Sequence, residues 1–258
     1  MQNIVITGSS RGIGFGLAKA FLAKGCRVII SSHNKGHLDA AAAELKNGRS
    51  DIPIFAFICD VSRPLDVEAL WDSAVGELGK VDIWINNAGV VHSMRSFWQL
   101  GYEEIRKTLE VNLMGTIHGS HVAMCKMIAQ GSGHIYNMEG QGADGSVIAG
   151  MGIFGTSKAG VHYFSKSLIE EAKKTPVKVS TIIPGIIRTD LQVETAGKTT
   201  EGRIFLDLLG EDVRSATGDL ADRILGNSAH GNCINRMSPP DMIGKVVSAP
   251  LRFFFGQQ

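Results

Sequence analysis

A chain of 258 residues, 44% hydrophobic and 20% charged, is long enough for a large α/β core and has an ordinary globular composition. A formal net charge of +1 argues against a nucleic-acid partner, and with no apolar run of about 18 residues no membrane span is expected. The four scattered cysteines (Cys26, Cys59, Cys125, Cys233) form no CxxC pair, so they read as buried thiols of a reducing compartment, not as metal ligands or disulfides.

The N-terminus runs straight into a strand pattern, with neither a basic flank nor a small-residue cleavage site. No secretory signal is expected, and the predicted location is cytoplasmic. Ile4-Val5-Ile6 is a buried strand that feeds the turn Gly8-Ser9-Ser10-Arg11-Gly12-Ile13-Gly14. Leu17, Ala18, Phe21 and Leu22 recur at helical spacing, so a helix begins near Gly12. Strands are then predicted at Val28–Ile30, Ile54–Ile58 and Val81–Ile85, and helices at Lys35–Lys46 and Pro64–Leu78, where Pro64 suits a first helical turn. A long helix follows over Tyr102–Ala129 with a break near Asn112, then a strand at Gly133–Met138, a helix at Ile153–Lys173 and a strand at Val177–Ile183. Alternation of this kind specifies one doubly wound parallel sheet with helices on both faces and right-handed crossovers.

No linker or repeat interrupts the pattern, so residues 1–258 read as a single domain. After Pro184-Gly185 the periodicity fades. Residues 189–215, small and polar over Thr189–Thr200, suit a substrate lid. Residues 236–258 carry Phe253-Phe254-Phe255, read as a segment packing on the domain or a partner subunit, with a membrane-surface anchor as the alternative.

A glycine turn between a buried strand and a helix N-terminus suits a phosphate, because unpaired N–H groups and the helix dipole point at the ligand. The spacing here is Gly-x3-Gly-x-Gly, over Gly8, Gly12 and Gly14. Thr7-Gly8-Ser9-Ser10-Arg11-Gly12-Ile13-Gly14 resembles the Thr-Gly-x3-Gly-x-Gly loop of the short-chain dehydrogenase/reductase family, and Asn86-Asn87-Ala88-Gly89 resembles its Asn-Asn-Ala-Gly motif. Asp60-Val61, Asn112, and Pro184-Gly185 with Thr189 follow in family order.

The resemblance implies a Rossmann-type fold and a dinucleotide cofactor. Gly8, Ser10, Arg11 and Ile13, with the helix start at Gly12 and Gly14, would line the pyrophosphate and adenosine side. Asp60 would meet the adenine amino group, with Val61 against the ring; the alternative for Asp60 is a helix cap before Pro64. Asn87, Ala88 and Gly89 would pack beside the adenosine ribose, and Ile187 and Thr189, after Pro184-Gly185, would contact the nicotinamide carboxamide. The second strand ends Ile30-Ser31-Ser32-His33-Asn34 without the acid that a ribose 2′-hydroxyl wants. Ser32, His33 and Arg11 offer donors to a 2′-phosphate instead, so NADP(H) is expected; otherwise His33 is a solvated turn residue.

The family takes its proton from the Tyr of a Tyr-x3-Lys pair, polarises the carbonyl with a Ser, and supports a water-linked relay with an Asn. Here Lys158 and Asn112 match, but Phe154 stands at the Tyr position. The usual Ser-Ser is replaced by Glu139-Gly140, leaving Gln141 as the candidate donor, with Asp144 and Ser146 as further ones and a solvent-facing loop residue as the alternative. Tyr136 and Tyr163 read as structural. The loop Asn137-Met-Glu-Gly-Gln-Gly-Ala-Asp-Gly145 is similar to that of the chlorophyll(ide) b reductase branch, which reduces a formyl group on a chlorin with NADPH and keeps the Tyr. Three readings of Phe154 stand open: a substituted chain made to trap a ligand complex, a natural enzyme with another proton donor, and a nucleotide-binding regulatory or scaffold protein without catalysis. The implied partners are a carbonyl or alcohol substrate and a second copy, in a homodimer or homotetramer packed through the two long helices. Ala159, Gly160 and Ser167 would allow the close approach.

Overall fold

The computed structural model describes residues 1–47, 54–189 and 210–237. Most of the expected lid and nearly all of the C-terminal segment, including positions 253–255, lie outside the described residues.

Seven strands form one parallel sheet: β1 (Asn3–Ile6), β2 (Arg27–Ser32), β3 (Ile54–Ile58), β4 (Ile83–Asn86), β5 (Gly133–Met138), β6 (Val177–Ile183) and β7 (Cys233–Asn235), in the order β3-β2-β1-β4-β5-β6-β7. The helices are α1 (Gly12–Ala23), α2 (Lys35–Lys46), α3 (Pro64–Leu78), α4 (Tyr102–Leu109), α5 (Gly115–Gln130), α6 (Gly152–Ala172) and α7 (Val213–Gly226).

Strand periodicity explains the two-sided core. Ile4, Ile6, Val28, Ile30, Ile83 and Ile85 point to one face and pack on α1, α2 and α7 through Leu17, Phe21, Leu38, Leu45, Leu220 and Ile224. Val5, Ile29, Trp84, Ile135, Val177 and Val179 point to the other and meet α3 and α5 through Val67, Leu70, Trp71, Val122 and Met127. Strand order reverses at the β1/β4 junction, and in such sheets ligands bind beyond the carboxyl ends of the strands at that point.

The break expected near Asn112 is a π-turn, Glu110–Met114, joining α4 to α5. Among the described residues three elements were not expected: a short 3-10 turn, Phe97–Gln99, α7 and β7. The signal for α7 is present, since Ala216, Leu220, Ala221 and Ile224 form a buried stripe behind the N-cap Asp212, which accepts from Ser215 N. Strand β7 is three residues long, too short for a period. Two expectations are corrected. Cys125 and Cys233 are exposed, and only Cys26 and Cys59 are buried. Gly160 faces its own chain: an added Cβ would stand 3.1 Å from both Leu113 methyls, so its smallness serves the α6/π-turn crossing.

Candidate active site

Every element of the site ends at the carboxyl edge of the sheet. After β1, Gly8 and Gly12 take φ of +61° and +58°. The loop is held from both sides. Thr7 Oγ1 accepts from Asn87 N and Ala88 N, each at 3.1 Å, and Asn87 Nδ2 donates to Thr7 O and Gly8 O at 2.9 and 3.0 Å. Asn87 and Ala88 therefore lock the glycine loop to the end of β4. Ser9, fully buried, staples it to β2: its hydroxyl donates to Ile6 O and accepts from Ser31 N. Sequence reasoning passed over Ser9 because a serine in a loop carries no pattern.

The phosphate end fits its expected ligand. The first turn of α1 has no acidic residue, and Arg11, exposed at its N-cap, makes no ion pair among the described residues. Ser10 donates to Ser32 Oγ at 3.1 Å, so both hydroxyls stand at the β2 end with exposed His33 beside them. Ile13 packs against the core, while Gly14 is closed in by Asn87 and Gly8. The structure brings Ser10 and Ser32 together, with no carboxylate in β2 or its following turn.

At the β3 end, Asp60 does not cap α3; Arg63 holds that position. Asp60 Oδ1 accepts from Ser62 N and Ser62 Oγ at 3.0 and 2.7 Å. Val61 is buried against the first turns of α5, where it packs on Gly115 and its O accepts from His118 Nδ1 at 3.0 Å. Gly89 lies 3.5 Å (as a built Cβ) from Asn112 Oδ1.

Asn112, completely buried, spans two elements. Its Oδ1 accepts from Val90 N at 2.8 Å, and its Nδ2 donates to Val90 O at 2.9 Å and to Ser157 Oγ at 3.1 Å. The Ser157 hydroxyl donates to Phe154 O at 2.6 Å. Asn112 thus fixes the chain after β4 to the turn of α6 that carries residues 154–158. His92, buried and absent from the sequence reading, completes the clamp: its Nε2 accepts from Phe154 N at 3.2 Å and its Nδ1 bonds Ser93 O. A histidine thereby satisfies one of the unpaired donors in the first turn of α6.

Lys158 is 6% exposed, and its Nζ donates to Met138 O at 2.9 Å. Burial pulls its pKa down to about 8, against the opposing charge of Glu139. The ammonium lies 5.9 Å from the Phe154 ring centroid, with Gly140 against its stem. Glu139 is buried as well: Oε1 pairs with His162 Nδ1 at 3.0 Å, and Oε2 has no partner. The Gln141 amide turns back on its own loop and donates to Ser146 O at 3.1 Å, leaving Oε1 buried without a partner. Asp144 and Ser146 are exposed and bond each other. Tyr136 is fully buried on the opposite sheet face, and Tyr163 is 79% exposed, so neither is brought to Lys158.

After β6, Pro184 and Ile187 are buried and Gly185 takes φ of +85°. Thr189 folds back over the glycine loop, its methyl 3.6 Å from a Cβ built on Gly12. Behind this turn Arg236, 7% exposed, donates to Pro184 O at 3.3 Å and pairs with Glu211 and Asp219 at 2.6 and 2.7 Å. The geometry is a phosphate-ready loop after β1, a buried ammonium at the end of β5, and no hydroxyl at position 154.

A probable chlorophyll(ide) b reductase, chloroplastic, of Arabidopsis thaliana is 33% identical over 267 residues, covering 97% of this chain and 53% of that protein. The chain therefore spans about half the length of that relative. Carbonyl reductase family member 4 of Xenopus laevis is 33% identical over 211 residues, 80% of this chain and 84% of its own. The structure of an actinorhodin polyketide ketoreductase with NADPH superposes with a TM-score of 0.80 over 91% of this chain and 95% of that one, at 23% identity, a likeness of fold. The sequence model of one family, described as short chain dehydrogenase, matches residues 2–199, and the protein belongs to that family.

Proposed function

We propose that the chain is an NADP(H)-dependent oxidoreductase that moves hydride between a nicotinamide and a ketone or aldehyde on a large apolar substrate. One observation carries the reading: a buried ammonium at the carboxyl edge of the sheet, one helical turn from position 154, on a turn of α6 that Asn112 holds through Ser157. The bound nucleotide supplies the hydride. Lys158 holds the nicotinamide ribose and sets a positive charge near the reacting oxygen. Gly8, Ser10, Arg11, Ile13 and the α1 N-terminus hold the phosphates; Ser32, His33 and Arg11 take the 2′-phosphate; Asp60 and Val61 take the adenine, and Ile187 and Thr189 the carboxamide.

The mouth of the site supports a large apolar substrate. The loops after β4 and β5 touch where Gly150 meets Arg95, and they expose Met94, Phe97, Trp98, Val147 and Ile148, with Trp98 83% and Val147 91% accessible. Relatives named for chlorophyll(ide) b and for carbonyls suit such a substrate. No described helix is long and apolar enough to cross a membrane. The free thiols suit a reducing compartment, either the cytoplasm or a plastid like that of the plant relative. Association through α5 and α6 remains our reading of the oligomer, with Ile128, Ala159, Tyr163 and Ser167 exposed there.

The second reading, a nucleotide-binding protein with a silent site, is favoured by the phenyl ring at position 154. Phe154→Tyr separates the two. With a broad carbonyl panel, the variant should oxidise NADPH faster than the parental chain, by up to about 10²–10⁴-fold where the parental chain has no general acid of its own. No oxidation by the variant, with NADPH still bound, would sink the enzyme reading. Fluorescence titration tests the cofactor: NADPH should bind more tightly than NADH, and the reverse order would overturn the assignment to NADP(H).

A further inference from the structure

Two groups near position 154, Glu139 and His162, have no role in the family's chemistry, and Lys158 beside them has a proton to spare. Glu139 is a carboxylate whose side chain is 1% exposed, with one oxygen on His162 Nδ1 at 3.0 Å and the other unpartnered. His162 lies one helical turn beyond Lys158, on the same face of α6, and its side chain is 37% exposed, so it joins the buried carboxylate to solvent. Lys158 spends one of its three protons on Met138 O and has no other hydrogen-bond partner among the described residues. A ribose hydroxyl would take a second, and a third is left.

Resting on the reading of the site as a carbonyl reductase, we propose that Lys158 is the proton donor of this chain in place of the absent hydroxyl, and that Glu139 is the positioning residue that keeps it charged. The step balances. Hydride from the reduced nicotinamide forms the C–H bond, and the carbonyl π pair becomes an alkoxide. The alkoxide takes a proton from Nζ, directly or across one water; the N–H bond breaks, the O–H bond forms, and the neutral amine recovers a proton from solvent. Phe154 places no polar atom between the ammonium and the substrate space, since its ring offers only a π face 5.9 Å away. A donor suits its task when its pKa lies near the working pH, and burial brings Lys158 to about 8. Without Glu139, burial alone would carry the amine further toward neutrality. The titratable groups around this pair are His162 on α6, Asp144 on the following loop, which senses His162, Cys233 on β7, which senses Glu139, and His92, which bonds Phe154 N.

The test follows Lys158 by NMR in the full chain labelled with [13Cε]-lysine, with the resonance assigned by its loss in Lys158→Arg. Free and NADPH-bound protein are titrated, and kcat/KM for NADPH-driven carbonyl reduction is measured over the same pH range. Lys158 should titrate near pH 8, and the fall of kcat/KM at high pH should share its midpoint. In Glu139→Gln both midpoints should move together to lower pH, by about one unit or more. A Lys158 midpoint unmoved in Glu139→Gln overturns the role of Glu139. A kcat/KM limb that does not coincide with Lys158 in the parental chain, a comparison that needs no variant, overturns the donor role. If no carbonyl is reduced at any pH, the donor role falls with the reductase reading, and the titration still judges Glu139 by itself.

Discussion

A Cβ built on Gly14 would stand 2.6 Å from Gly8 O and collide with Asn87 Nδ2. Neither neighbour can yield. Gly8 O and Asn87 Nδ2 are bonded to each other, and Gly8 is itself pressed against Ala88, 2.6 Å from a built Cβ to the Ala88 Cα. Gly14→Ala therefore tests more than local space. It should pry the glycine loop from the end of β4, cost about 1–3 kcal/mol of stability in urea unfolding, and weaken NADPH at least about tenfold by moving the N–H groups that meet phosphate. Unchanged NADPH affinity would mean that the loop and the Asn87 turn are not one device. Phe154 is the opposite kind of position. Its backbone is held by partners on both sides, His92 on its N–H and Ser157 on its carbonyl. The helix turn that should present a hydroxyl is thus fully built, and only the oxygen is missing.

At the scale of elements, six of the seven described strands and six of the described helices were legible because a buried parallel strand is a short apolar run and each crossover helix shows a one-sided stripe. Asn112 was legible as a break because polar residues interrupt that stripe, and the break proves to be a π-turn, a wider coil that turns the amide inward to reach Val90 and Ser157. The polar ladder beneath it was not legible. Trp84 Nε1 donates to Asn86 Oδ1, Asn86 Nδ2 donates to Asn137 Oδ1 and Ser120 Oγ, and Asn137 Nδ2 donates to Ser165 Oγ, all buried. It joins residues up to 51 positions apart in sequence, through the register that sets Asn86 opposite Asn137, and register is a property of the assembled sheet. His92, and the contact that Glu139 makes, escaped notice for a related reason. Each acts on α6 from a different strand end, at a distance that no local spacing encodes. The motif loops pointed to where a nucleotide is expected; what holds those loops appeared only with the tertiary contacts.

Across the whole molecule the two faces of the sheet divide the work. The face toward α5 and α6 carries Asn137, Glu139 and Lys158, and the face toward α7 carries a separate buried polar cluster. There His134 Nε2 meets Ser180 Oγ at 2.9 Å, its Nδ1 meets the Tyr136 hydroxyl at 3.2 Å, and Asn227 Nδ2 donates to that hydroxyl at 3.1 Å, tying β5 and β6 to the end of α7. Burial, reinforced by the charges of Lys178 and His230, presses the His134 pKa from 6.5 to about 4. The unfolded chain therefore binds the extra proton between about pH 6.5 and 4, and stability contributed by the neutral ring is lost as pH falls through that window and levels off below it. The full effect is about 3 kcal/mol. Urea unfolding of the parental chain and of His134→Gln at pH 7 and pH 4.5 isolates it, because the carboxylates common to both chains cancel in the difference. The variant should be less stable at pH 7, where it loses the cluster's hydrogen bonds, yet its drop on acidification should be smaller by about 2–3 kcal/mol. Equal drops in the two chains would show that His134 is protonated in the fold as readily as in the unfolded chain, and that the acid sensitivity of this face comes from elsewhere.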